Sequence, residues 1–304
     1  ESAISYCLAE AGITLADVCG IVFYEKPLVK FERLLKTYIR TWPKGLKSFI
    51  QAMLSFLTKK LWIEQRVRKL LSYNGPFYYV DHHIAHAASA FYPSGFDDAI
   101  LITMDGVGED DTTTIGYGKG TQVSLTHSIH FPHSLGLLYS ALTYYLGFKV
   151  NSAEYKVMGL APYGNPAVFR DRIAKLVTRY PDGSFTLNME YFSYEYALVM
   201  TSKKFDTLFG GKARTGESGV SQREKDIAAA LQELTNELVL GIVRHATKLY
   251  ETRRVCFAGG VALNCVANSV VLNSGLVDEL YIQPASGDAG GSVGAALYVY
   301  YHVW

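Results

Sequence analysis

The stretch AILITMDGVGEDDTTTIGYG, residues 99–118, governs how the rest of the chain is read. Ala99–Met104 (AILITM) reads as a strand, and DGVGEDD after it is a tight acidic glycine turn. Thr112–Gly118 reads as a returning strand, and Val123–His130 alternates well enough for a third. A helix is expected over Leu135–Leu146.

Working upstream, Val18–Tyr24 (VCGIVFY) is a short apolar run typical of a buried strand. A mostly helical, aromatic-rich stretch is expected from about Lys30 to Leu71, broken at Pro43 and Gly45. Asn74-Gly75-Pro76 marks a turn, and the strand Phe77–Val80 runs straight into DHHIAHAASAF, whose small residues suit a tightly packed helix. Pro93 and Gly95 mark its break. Downstream, Ser221 and Glu224 form a capping-box pattern before an amphipathic helix over about Arg223–Tyr250. Arg254–Ala258 is a strand ending in Gly259-Gly260, and Leu280–Ile282 with Gly287–Gly291 repeats that layout. Strands alternating with helices and hairpins imply an α/β protein of mixed sheets. Strand, glycine turn, two strands and a helix in succession suggest the repeated unit of the actin-like ATPase superfold. Two lobes are expected, the first over 1–97 with the two histidines and the second over 98–304 with the glycine loops.

The 304 residues are 49% hydrophobic and 19% charged, enough for a large buried core. Lys and Arg number 29 against 28 Asp and Glu, so the formal charge of +1 gives no global drive toward nucleic acid or a membrane. The basic run Lys59–Lys69 (KKLWIEQRVRK) reads as a solvated helix face, and no apolar stretch is long enough to span a bilayer. Four cysteines at irregular spacing, with no signal peptide, read as thiols of a reducing compartment, with cytoplasm the default. Glu1 opens directly into a helical period at Ile4, Leu8 and Ala11, and VGAALYVYYHVW stops inside another, so a fragment with its first strands missing is expected.

Three glycine-bearing loops each follow an expected strand: Asp105-Gly106-Val107-Gly108, Gly259-Gly260-Val261 and Gly287–Gly291. Glycine there permits close backbone approach, and free N–H groups at a helix start attract phosphate. Three such loops are better explained by a nucleotide between two lobes than by three plain turns. Asp105 would then help hold a phosphate-bound Mg²⁺ or orient a reacting group, although an aspartate in a hairpin turn looks the same. His82 and His86 stand four residues apart on one helix face, the spacing two imidazoles need to share a metal. A third ligand must come from far away in sequence, and Asp288 is the choice. Two histidines and one carboxylate suit Fe(II) or another first-row divalent ion. In NSAEYKVMGLAPYG (151–164), Lys156 could meet a phosphate and Glu154 a ribose, or either could be half of a surface ion pair. His133, in FPHSLG, is a lesser candidate that either approaches a substrate or starts a helix.

VDHHIAHAASAF, MDGVGED, FPHSLGLLYSALTYYLGF, EYKVMGLAPYG, AGGVALNCVAN and SGDAGGSVGAAL, in this order, resemble the carbamoyltransferases that modify nodulation factors, aminoglycosides and cephamycins. The resemblance covers essentially the whole chain. It implies an actin-like fold that binds Fe(II) through His82, His86 and Asp288. Carbamoyl phosphate and ATP would give carbamoyl-adenylate in a second, YrdC-like domain. The carbamoyl group would then pass to an acceptor hydroxyl here, with AMP leaving. Gly259, Gly260 and Asn264 would hold adenosine, with Asp105, Gly106, Glu154 and Lys156 around ribose and phosphate. The tRNA threonylcarbamoyladenosine transferases share the HxxxH and GGVxxN elements, but place a metal-binding tyrosine where Thr103 stands. That departure leaves a fourth ligand open and argues against tRNA. A non-catalytic nucleotide-binding module is the further alternative.

Overall fold

A computed structural model describes residues 2–216 and 218–304. Glu1, the start of the first expected helix, lies outside them, and that helix, α1, spans Ser2–Ala11. Strand β1 (Ile21–Phe23) leads into three helices, α2 (Pro27–Thr41), α3 (Leu46–Ser55) and α4 (Ile63–Leu71). Pro27 opens α2, where its missing N–H is no loss, and a wide helical turn over Phe56–Lys60 carries α3 toward α4. Strand β2 (Phe77–Tyr79) lies parallel to β1 and hands over to α5 (His82–Ser94). Pro93 is accommodated in the last turn of α5, and the helix stops at Gly95, whose φ of +75° suits glycine.

Strands β3 (Asp98–Met104), β4 (Asp111–Lys119) and β5 (Gln122–His130) form an antiparallel meander followed by α6 (Leu135–Tyr145). This is the succession expected of an actin-like unit. Then come α7 (Glu154–Leu160), α8 (Arg170–Ile173), a hairpin of β6 (Val177–Arg179) and β7 (Phe185–Leu187), and α9 (Lys203–Phe209). The long α10 (Gln222–Leu249) starts at the expected capping box, with Glu224 accepting from the Ser221 N–H at 2.9 Å. Strand β8 (Arg254–Ala258), α11 (Cys265–Asn273), β9 (Glu279–Ile282) and α12 (Asp288–Val303) complete the chain.

The main sheet has the order β5-β4-β3-β8-β9, with β8 and β9 parallel to β3. Along β3, alternate side chains face opposite layers. Ile100, Ile102 and Met104 enter the core shared with α6 and α10, while Ala99 and Leu101 pack with Ala87, Ala90 and Phe91 of α5. The sheet is therefore sandwiched between helices, which is why its central strand is mostly apolar.

Gly287 directly precedes α12, which begins at Asp288 and takes Gly290, Gly291 and Gly294 into its body. These glycines serve packing. A Cβ on Gly294 would run into the Ala85 carbonyl oxygen and the Ser89 nitrogen of α5. Small residues on both helices bring α12 against α5, and this contact carries Asp288 to the histidines.

Candidate metal centre and adjoining cleft

Strands β3, β8 and β9 run in one direction, so their carboxyl ends share an edge, the usual place for a ligand beside parallel strands. Asp105 follows β3, Gly259-Gly260 follows β8, and Asp288 follows β9. The first turn of α5 faces the same edge. There His82, His86, Asp105 and Asp288 each offer one ligand atom, and these atoms lie within 4.8 Å of one another.

The His82 Nε2 stands 3.0 Å from the His86 Nε2 and 3.1 Å from the Asp105 Oδ2. The Asp288 Oδ1 is 3.7 Å from the first nitrogen and 3.8 Å from the second. Donors about 2.0–2.2 Å from one ion stand roughly 3–3.5 Å apart at adjacent positions, so the spacing suits a first-row divalent ion with small adjustment. Two imidazoles and two carboxylates are also the right donor chemistry. Neither ring's buried Nδ1 has a hydrogen-bond partner. The rings are thus aimed by packing and by their Nε2 contacts, without the outer carboxylate that often orients a ligating histidine.

Charge is unevenly shared among the four. Burial opposes a proton on His82, but the hydrogen bond and charge of Asp105, with Asp288 behind, lift its pKa above the ordinary value. Burial and then the neighbouring His82 push His86 down to about 3. Burial would raise Asp105, yet His82 and His86 hold it far below the usual carboxylate range. Burial and the Asp105 charge raise Asp288. The Asp105 carboxylate thus favours the imidazolium form of His82, whereas His86 beside it is held in the neutral form.

Several neighbouring residues support this cluster. Glu109, buried, accepts the backbone N–H of His82 at 3.1 Å and that of Lys26 at 2.7 Å, tying α5 to the β1–α2 junction. Gly108 lets the helix come close, since a Cβ there would meet the His82 and His83 rings at about 3 Å. His83 points away from the cluster. Its Nε2 faces the Asp111 carbonyl at 2.8 Å, which leaves Nδ1 to accept from the Thr103 hydroxyl at 2.5 Å. Thr103 in turn meets Thr114 at 2.6 Å. The Thr103 hydroxyl is thereby committed beneath the histidines, and the fourth donor is Asp105, two residues on. Tyr24 lies with its ring 5.8 Å from that of His82, and its hydroxyl is pushed up to about 12 by burial and by Asp288, Glu25 and Asp105.

A cleft of about 650 Å³ opens from the cluster, large enough for a nucleotide. Asp105, Gly106, Glu154, Gly260, Asn264 and Asp288 all line it, together with the apolar Leu137, Met158 and Leu263. Asp105 joins the two features physically: its Oδ1 accepts the Gly260 N–H at 3.0 Å while its Oδ2 faces His82. Asp105 thus belongs both to the histidine cluster and to the cleft wall. The Glu154 Oε1 takes the Ser140 hydroxyl at 3.0 Å and the Asn151 N–H at 2.8 Å, which leaves Oε2 uncommitted among the described residues. The Asn264 amide is occupied by Gln232 and by capping Ala267, so it shapes the wall.

Three expected contacts fall elsewhere. Lys156 is exposed, its ammonium 5.9 Å above the Tyr155 ring. Two positions beyond Glu154 on α7, it points about 200° around the helix from the cleft. Gly259 faces the sheet. Its φ is +93°, a Cβ would strike the Met104 backbone, and its N–H donates to the Ser286 carbonyl at 2.8 Å. His133 lies outside the cleft wall, with its Nδ1 accepting the Leu187 N–H of β7 at 3.1 Å. Its neighbour Ser134 reaches the site instead, donating to the Gly106 carbonyl at 2.7 Å and capping α6 through the Leu137 N–H.

An α/β fold with a histidine–aspartate centre beside a nucleotide-sized cleft is the setting in which the comparisons with known proteins fall. The profile of the family Carbamoyltransferase N-terminus matches residues 1–297, and the chain belongs to this family. The uncharacterized protein sll1178 of Synechocystis sp. is 52% identical over 98% of this chain and 50% of its own length. Nodulation protein NolNO of Sinorhizobium fredii is 32% identical over 97% of this chain and 41% of its own. Nodulation protein NolO of Bradyrhizobium diazoefficiens is 35% identical over 72% and 38%. The chain thus spans about half the length, or less, of these relatives. Among solved structures, T. kodakarensis HypF aligns with 79% of this chain at 16% identity and a TM-score of 0.42.

Proposed function

We propose that this chain is the transfer domain of an ATP-dependent O-carbamoyltransferase, which moves a carbamoyl group from carbamoyl-adenylate to the hydroxyl of a small-molecule or sugar acceptor. The adenylate is made from carbamoyl phosphate and ATP by a YrdC-like domain in the longer protein, and AMP is released here. The observation that carries this reading is that Asp105 and Asp288 belong at once to the cleft wall and to the four-donor cluster. A mixed anhydride lying along the cleft would bring its reactive carbonyl to that shared point. A divalent ion held by His82, His86, Asp105 and Asp288, for which Fe(II) is well suited, supplies Lewis-acid polarisation of that carbonyl.

The chain's own groups do the positioning. Gly106 and residues of the Gly260–Asn264 segment line the space for the nucleotide, with Leu137 and Met158 as apolar contacts. Glu154 takes a ribose hydroxyl on its free oxygen. Among the described residues no Lys or Arg lines the cleft, so the basic stripe that tRNA would call for is not formed by them.

The test is His86→Ala in the intact protein. Bound iron, measured by elemental analysis after anaerobic loading, should fall to background. Carbamoyl transfer, read as the mass gain of a panel of hydroxylated acceptors with carbamoyl phosphate and ATP, should be lost. Adenylate binding should change less than a few-fold. Full transfer by the variant would discard the centre, and no mass gain on any acceptor by metal-loaded wild type would discard the reaction.

A further inference from the structure

Between Arg33 and Ile63 the chain has seven basic residues and no acidic one, although its overall formal charge is only +1. This segment comprises most of α2, all of α3 and the wide turn beyond it. The inner face of α3 is already satisfied. Phe49 stacks on Tyr38 at 4.0 Å, and Phe56, buried, packs on Phe31 at 5.2 Å. Folding therefore does not require a second apolar stripe, yet one exists. Leu46, Ile50 and Leu54 follow each other at four-residue intervals, Leu57 extends the row, and all are 43–61% exposed. Trp42 precedes the row at 60% exposure and Trp62 follows it at 50%. Lys47 and Lys59 flank it, fully outside any ion pair among the described residues.

We propose that this face is a docking surface for an anionic phospholipid bilayer, on which α3 lies in the plane of the interface. Leucine and isoleucine enter the acyl boundary, tryptophans at both ends sit at headgroup level, and lysines extend from their stems to lipid phosphates. No helix of the described residues is long and apolar enough to cross a membrane, so the contact is peripheral. The charge pattern sets aside the other occupants. A second copy would bring two cationic faces together, and a nucleic acid would leave the aliphatic row without a partner. Of the seven cations, Lys36 pairs with Glu32, Arg40 with Glu195 and Lys60 with Glu25, and Arg33 donates to the Gly108 carbonyl, so Lys44, Lys47 and Lys59 are the ones outside any ion pair among the described residues.

The experiment is flotation of the intact protein with phosphatidylglycerol–phosphatidylcholine vesicles and with phosphatidylcholine vesicles, alongside tryptophan fluorescence. Wild type should float with the anionic vesicles at low salt, with a blue-shifted emission, and not with the neutral ones. Ile50→Glu/Leu54→Glu should lower the partition more than tenfold. Lys47→Glu/Lys59→Glu should do the same, given roughly fivefold per cation at a charged surface. All four side chains are exposed, so melting temperatures should match wild type, which keeps loss of binding separate from loss of folding. Several results would overturn the proposal: no flotation by folded wild type, flotation unchanged by the Ile50/Leu54 pair, binding of RNA but not vesicles, or self-association abolished by the same pair. None of these results depends on carbamoyl transfer, which is assayed separately.

Discussion

Asp105 serves two neighbours with one carboxylate, and the protonation of His82 is the other side of that arrangement. Because the His82 pKa is raised, an ion must displace a proton from it. Metal affinity should accordingly be level above that raised value and fall about tenfold per pH unit below it. His86, already neutral, should contribute nothing to this slope. Calorimetric titration with a divalent ion across the pH range checks the point, and a flat profile down to the acid limit of folding would refute it. Thr103 gives a second residue-level expectation. Thr103→Val removes the hydroxyl that satisfies buried His83, and should cost about 1–3 kcal/mol in denaturant unfolding. Neither role was visible in the sequence. Thr103 reads there as a departure from a metal-binding tyrosine, with nothing to signal its bond to His83, and the meeting of Asp105 with His82 depends on how β3 sits against α5.

At the scale of elements, the contact between α5 and α12 sets the position of Asp288. Gly294→Ala would press a methyl group onto the α5 backbone, with an expected cost of about 1–3 kcal/mol or more. It should also weaken metal binding, although residue 294 touches no donor atom. A variant with unchanged melting and unchanged metal affinity would show that the helices yield freely. The strands around this contact were legible because Ala99–Met104 and Arg254–Ala258 are mostly apolar stretches with clear ends. The start of α12 was not, since three glycines in five residues resemble a loop until the facing helix explains them. The hairpin β6–β7 has three-residue strands, too short for any periodicity to register. Lys156 was misplaced for a related reason: motif proximity to Glu154 ignores the turn of the helix on which both sit.

For the molecule as a whole, the four donors come from α5, from the end of β3 and from the start of α12, so an ion would fasten remote parts of the chain together. Saturating metal at a hundredfold excess over its Kd should stabilise the fold by about 2.7 kcal/mol, and a chelator should reverse the shift in melting. Equal melting with and without metal would count against a centre formed in the folded state. The shared position of Asp105 has one further consequence. One of its oxygens grips the turn after β8 and the other faces an imidazole, so a molecule that reshapes that turn on entering must also alter the hold on the ion. Occupancy on either side then biases the other by the same factor, in both directions, as thermodynamic reciprocity demands. The two sites behave as a single balance with Asp105 as its fulcrum.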